Sequence, residues 1–271
     1  MKTLVVLACA LCLSTLAQAR ELRVCADPNN LPFSNEKSQG FENKIVDLIA
    51  KDMNAHVTYV WWAQRRGYVR HTLYDAQCDL WPGVASQQEL LSPTQPYYRS
   101  TYVFVTRADR HLAIQSLNDP KLRQLKIGVE MVGYDADNTP PAMALARRGI
   151  TRNVKGYSVL GDYRLPNPPA AIIDAVAKGD VDVAIAWGPL AGYFAAKAPV
   201  SLNVTPVTPE RDARLPMTFA ISMGVRRGDV ALVRDVDQAL LRNKSAIDAA
   251  LAAYHVPLLA TYPGPTAINA Q

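Results

Sequence analysis

The chain has 271 residues, enough for one large or two modest domains, and its 29 Lys and Arg against 24 Asp and Glu leave a formal charge of +5. The basic residues are dispersed rather than clustered, which disfavours a nucleic-acid-binding surface. Beyond the first residues no apolar run reaches the roughly 18 residues of a membrane-spanning helix, so no membrane insertion is expected.

Residues 1–19 read as a cleaved signal peptide: Lys2, an apolar run from Leu4 to Leu13, and Ala17-Gln18-Ala19 as a small-x-small cleavage site. A lipoprotein signal at Val6-Leu7-Ala8-Cys9 would leave too short an apolar core. The mature chain is expected to begin near Arg20 and to reside in the periplasm, with a mildly basic surface that can meet an acidic protein partner.

Short apolar runs then alternate with helical patterns, the signature of α/β architecture with mainly parallel sheets. LRVCAD reads as the first strand, GFENKIVDLIAKDMNA as a helix with Ile45, Val46, Leu48 and Ile49 inward, and HVTYVWW as the second strand. QRRGYVRHTLYDAQ resumes helix, CDLWPGV makes the third strand, and RSTYVFVTR a long fourth. After Asp109, SLNDPKLRQL connects to LKIGVE, which restarts the cycle. NTPPAMALARRG, PNPPAAIIDAVAKG and PLAGYFAAKA are helical; RNVKGYSV, VDVAIAW and LNVTPVTP are extended. MTFAISMGVRRG is a strand expected to return to the first lobe, closed by the helices DVALVRDVDQALLRN and SAIDAALAAYHV. The expected lobes are residues 20–108 plus 212–260 and residues 109–211. Passages near 107–111 and 206–216 would form a two-strand hinge at a central cleft, and 261–271 a loose tail.

Cys9 and Cys12 leave with the leader, so Cys25 and Cys78 remain in an oxidising compartment, each in a strand-like segment. Neighbouring strands lie about 4.8 Å apart, within reach of a disulfide, and a bridge is favoured over two free buried thiols. Two cysteines are too few for a zinc set.

Ligands in open α/β sheets gather beyond the carboxyl ends of strands, which nominates Asp27, Asn29, Asn30 and Phe33 after the first strand. The same loop also reads as a turn whose Asx side chains bond their own backbone. Trp61, Trp62 and Arg65 follow the second strand. Adjacent tryptophans on a strand point to opposite faces, so one belongs in the core and the other near the cleft or a partner surface. Arg65 and Arg66 oppose the dipole of a helix start, which suggests a further role, with a solvated basic turn as the plainer reading. Asn138-Thr139 and Asn167, each before a Pro-Pro pair, read as helix caps or as anion-binding helix ends. Trp81, Tyr97, Tyr98, Arg99, Trp187 and Tyr193 complete the expected cleft. The four histidines are scattered without metal-ligand spacing, and no G-x-S-x-G elbow, P-loop or dinucleotide fingerprint occurs. No catalytic residue, metal or cofactor is expected.

The segments RVCADPNNLPFSN, GFENKI, QRRG, CD, PYYRSTYVFVTRAD, NTPPAMALARRG, GYSVLGDYRLPNPPAAIIDAVAKGDVDVAIAWGPLAGYF and ISMGVRRGD run through nearly the whole mature chain. In them the chain resembles the type II periplasmic binding proteins of solute-binding family 3, and within these the quinoprotein dehydrogenase-associated branch of MoxJ/XoxJ type. The resemblance implies two lobes around a cleft and an accessory role for a PQQ-dependent alcohol or methanol dehydrogenase, in maturation, activation or cytochrome coupling. The implied partners are that dehydrogenase and/or its c-type cytochrome, with a small molecule or peptide in the cleft. Where amino-acid-binding members carry a carboxylate-clamping arginine this chain has Leu90, and where they carry an acid for the ligand ammonium it has Trp187. Each lost charge-assisted contact is worth about 1.5 to 3 kcal/mol, so a cleft without amino-acid-recognition charges is expected. The loop LWPGVASQQEL departs from the wording usual in the branch. The alternative is a transporter's receptor for a small uncharged or aromatic molecule.

Overall fold

The computed structural model describes residues 20–132, 138–159 and 161–260; the expected leader and tail lie outside the described residues. In chain order the strands are β1 (Arg20–Ala26), β2 (Asn29–Asn30), β3 (Ser34–Asn35), β4 (Ala55–Trp61), β5 (Leu80–Ala85), β6 (Ser92–Pro93), β7 (Tyr98–Arg107), β8 (Ile127–Met131), β9 (Val154–Ser158), β10 (Val183–Trp187), β11 (Leu202–Pro206), β12 (Arg211–Asp212), β13 (Leu215–Pro216) and β14 (Thr218–Val225). The helices are α1 (Phe41–Asp52), α2 (Pro140–Arg147), α3 (Ala171–Lys178), α4 (Gly188–Ala196), α5 (Val230–Arg242) and α6 (Lys244–Ala253). Among the described residues no helix is long and apolar enough to cross a membrane.

The main sheet runs β4-β1-β5-β14-β7-β10-β8-β9, with β11 on β7 and β6 on β14. Pairing is parallel at β4-β1-β5 and at β10-β8-β9, as expected of strand-helix-strand units. The two long strands between these sets pair antiparallel, which makes the sheet mixed: β14 with β5 and β7, and β7 with β10 and β11. A strand of ten residues spans roughly 30 Å, enough for β7 to serve both halves. Its Tyr98–Thr101 segment pairs with β14, and from Tyr102 it pairs with β10. The change of partners thus comes within the strand, ahead of the 107–111 segment.

The apolar period of α1 buries Phe41, Ile45, Val46 and Ile49 fully against the first half, while Leu48 is half-buried. Each such side chain is worth about 1.5 to 3 kcal/mol of burial. β7 sends Phe104 into the core beneath α2, and Val103 and Val105 into the core beneath α3 and α4. Helices on both faces explain why its sequence is a continuous apolar run rather than an alternation.

The helix expected over 64–77 shrinks to one π-helical turn, Arg70–Tyr74. Gly67, at φ +89°, holds a left-handed conformation that a helix cannot continue through. Cys25 and Cys78 form a disulfide with Cα atoms 5.5 Å apart, both side chains fully buried beside Tyr68 and Leu73. It ties the end of β1 to the entry of β5.

Candidate functional site

β7 and β14 carry Tyr102 and Phe219 to the junction of the two halves, and Trp187 ends β10 beside them. The three rings pack edge to face, with centroids 5.4 Å apart for Tyr102 and Trp187, 5.8 Å for Trp187 and Phe219, and 6.4 Å for Tyr102 and Phe219. They form one wall of a cavity of about 1360 Å³, which both halves line.

From the first half come Asp27, Asn30, Phe33, Gln64, Arg65 and Arg66. Asp27 is buried, and its carboxylate accepts the backbone N–H of Asn29 at 2.9 Å and of Gln64 at 2.7 Å. It also accepts the hydroxyl of Tyr163, from the loop before α3. Arg65 lies over the Tyr163 ring, 4.8 Å from its centroid, and the Asn29 amide donates to the Leu165 carbonyl at 3.0 Å. These three contacts latch the loop at 163–165 across the cleft mouth. Burial, then the bond to Asp27, pushes the Tyr163 hydroxyl well above its ordinary pKa, so it stays a donor.

From the second half comes Glu130, near the end of β8 and 4% exposed. Its carboxyl accepts the backbone N–H of Trp187 at 2.8 Å. Burial raises its pKa from 4.5 to about 7, against the opposing pull of that N–H. The nearby Tyr102 hydroxyl is pushed up by burial and by Glu130. A buried carboxyl of this kind can donate as an acid or pair with a cation that enters the cavity.

Five of the residues nominated from sequence thus meet at the cavity: Asp27, Asn30, Phe33, Arg65 and Trp187. The others lie off its lining. Trp61 stacks on Tyr59 at 4.6 Å, and exposed Trp62 stacks on His71 at 5.6 Å. Trp81 packs on Tyr68 next to the disulfide. Tyr97 and Tyr98 are buried in the first core, where the Tyr97 hydroxyl donates to the Pro82 carbonyl at 3.0 Å and Tyr98 packs on Phe41. Arg99 donates to Glu210 and to Thr218, both at 3.1 Å.

Thr139 precedes α2 but gives its hydroxyl to the Glu130 carbonyl at 2.6 Å instead of capping, with Asn138 in an isolated bridge to Met131. Asn167 is exposed at φ +80° and makes no cap bond. Tyr193 stacks on Tyr254 at 5.6 Å and does not line the cavity. Asn29 acts in the latch. Leu90 is 53% exposed, its carbonyl accepts the Tyr74 hydroxyl, and it is not among the residues that line the cavity.

Charged side chains do line the cavity: Asp27 and Arg65, both nominated from sequence, with Arg66 and Glu130. Sequence reasoning missed Glu130, Tyr102, Phe219, Gln64 and Tyr163. The one signal for Glu130 was an acid ending the apolar strand LKIGVE, where a solvent-facing position was the default. Among the described residues no group of three or more His, Cys, Asp and Glu side chains is placed to hold a metal ion.

Over residues 22–254 the sequence matches the family described as bacterial extracellular solute-binding proteins, family 3. It is 34% identical over 253 residues to the protein MoxJ of Methylorubrum extorquens, covering 89% of this chain and 82% of that one. It is 31% identical over 272 residues to MoxJ of Paracoccus denitrificans, covering 93% and 94% of the two chains. Among solved structures, the periplasmic binding protein XoxJ from Methylobacterium extorquens AM1 superposes with a TM-score of 0.73 at 36% identity, covering 89% of this chain and 100% of that one.

Proposed function

The chain belongs to family 3 of the bacterial extracellular solute-binding proteins, and from that membership we propose that it is a non-enzymatic periplasmic accessory protein of a PQQ-dependent alcohol dehydrogenase system. The observation that carries this reading is the likeness to MoxJ and XoxJ proteins across nearly the whole chain. In this reading the protein assists maturation, activation or cytochrome coupling of the dehydrogenase, and the cleft holds a guest that reports or serves that task.

The guest rests against Trp187, with Asp27, Asn30, Phe33 and Arg65 on the facing wall. Lobes formed by 20–108 plus 212–260 and by 109–211 close on it, with the loop at Tyr163 as the catch. A second reading, a solute receptor feeding a membrane transporter, is favoured by the cavity itself, whose volume suits a small molecule rather than a folded partner.

Complementation tests the proposal. Deleting the gene should abolish dehydrogenase activity, and the wild-type chain should restore it whereas Trp187→Ala should not. Full rescue by Trp187→Ala would remove the cleft from the account.

A further inference from the structure

We infer that the cleft recognises an organic ammonium group through the Glu130 carboxyl and the rings of Tyr102, Trp187 and Phe219. The inference rests on the reading of the cavity as the guest site, and it names the chemistry of the guest.

Glu130 lines the cavity and is 4% exposed, with one carboxyl oxygen on the Trp187 N–H at 2.8 Å. Among the described residues no Lys, Arg or His forms an ion pair with it. A carboxylate buried without a counter-charge is costly, and proteins keep such groups neutral or supply them with a cation. Here the cavity leaves room for the cation to come from outside.

The three rings that line the cavity with Glu130 answer the other half of the requirement. A cation set against aromatic faces is drawn by their quadrupoles, and the attraction grows where water is excluded. The rings are set at 66° to 75° to one another, so they offer no slot for a flat guest, whereas a compact, rounded head can meet more than one of them. An anionic group is repelled by the ionised form of Glu130. The ammonium can belong to a free amine or to a lysine side chain on a partner segment.

Calorimetric titration with choline beside its uncharged isostere 3,3-dimethylbutan-1-ol, and with n-butylammonium beside butan-1-ol, tests the inference. At least one cation should bind about tenfold or more tighter than its neutral counterpart. Glu130→Gln, which keeps an acceptor for the Trp187 N–H, should bring the cation-to-neutral ratio close to one. Equal affinity within both pairs, failure of both cations to bind, or an undiminished ratio in Glu130→Gln overturns the inference. The wild-type ratio is independent of how the variant folds.

With cation binding established, release of a captured partner by excess choline assigns the ammonium to the partner, and retention assigns it to a free amine. Choline binding without any captured dehydrogenase or cytochrome overturns the accessory reading alone, and capture without cation binding overturns this inference alone.

Discussion

Replacing Glu42 by Gln isolates the cost of a carboxyl that the first half keeps inside its core. Glu42 stands in the first turn of α1 and is 4% exposed. Its Oε1 lies 2.0 Å from where a Cβ on Gly83 would sit, so glycine makes the space for it. Burial, reinforced by the charge of Asp27, raises its pKa from 4.5 to about 8.

The folded state therefore holds this proton more tightly than the unfolded one. Between about pH 4.5 and pH 8 the unfolded chain loses the proton first, and stability falls as pH rises through that window. A difference of this size is worth on the order of 5 kcal/mol once Glu42 is ionised in both states. Urea unfolding of wild type and Glu42→Gln at about pH 5 and about pH 9 reads the effect, since the other titrating groups contribute alike to both proteins. Wild type should lose several kcal/mol more than the variant across the window. Parallel pH dependences would refute the reasoning, because they would mean that Glu42 ionises without penalty where it stands.

Other outcomes follow from single contacts. Replacing Cys25 and Cys78 together by Ala should cost about 4 kcal/mol in urea unfolding, the loop-entropy value for a bridge of this span; an unchanged midpoint would deny the bridge a role. Tyr163→Phe removes the hydroxyl that Asp27 accepts across the cleft mouth, a contact to a charged group worth about 1.5 to 3 kcal/mol. The radius of gyration by small-angle X-ray scattering should rise, and an unchanged value would mean that the loop does not hold the halves together. Gly192→Ala places a Cβ 2.0 Å from the backbone carbonyl of His255. A loss of about 1 to 3 kcal/mol or more is expected from such overpacking, and thermal denaturation at the wild-type midpoint would contradict the close approach of α4 to the end of α6.

The elements that follow from local pattern were the legible ones. The stripe of α1 could be read because a surface helix must bury one face, and its 3.6-residue period exposes which. Trp187 could be placed because the carboxyl end of a strand opens onto the cleft wherever a helix follows. The change of partners within β7 could not be read, since both of its ends are apolar and pairing is decided by strands far away in sequence. For the same reason Tyr97 and Tyr98 looked like cleft walls: a strand covered on both sides shows no alternation to tell inward from cleft-facing. Glu130 and Tyr163 were illegible one at a time, because an acid and a tyrosine in polar surroundings acquire meaning only when the fold sets them against Trp187 and Asp27.

The accessory role is tested most directly by a pulldown from periplasmic extract of the organism that encodes the chain, with wild type and Trp187→Ala as baits. The quinoprotein dehydrogenase or its c-type cytochrome should be recovered on the wild-type bait and lost on Trp187→Ala. Recovery of neither protein, together with nanomolar binding of a small molecule to the same preparation, would rule out the accessory role and make the chain a transport receptor.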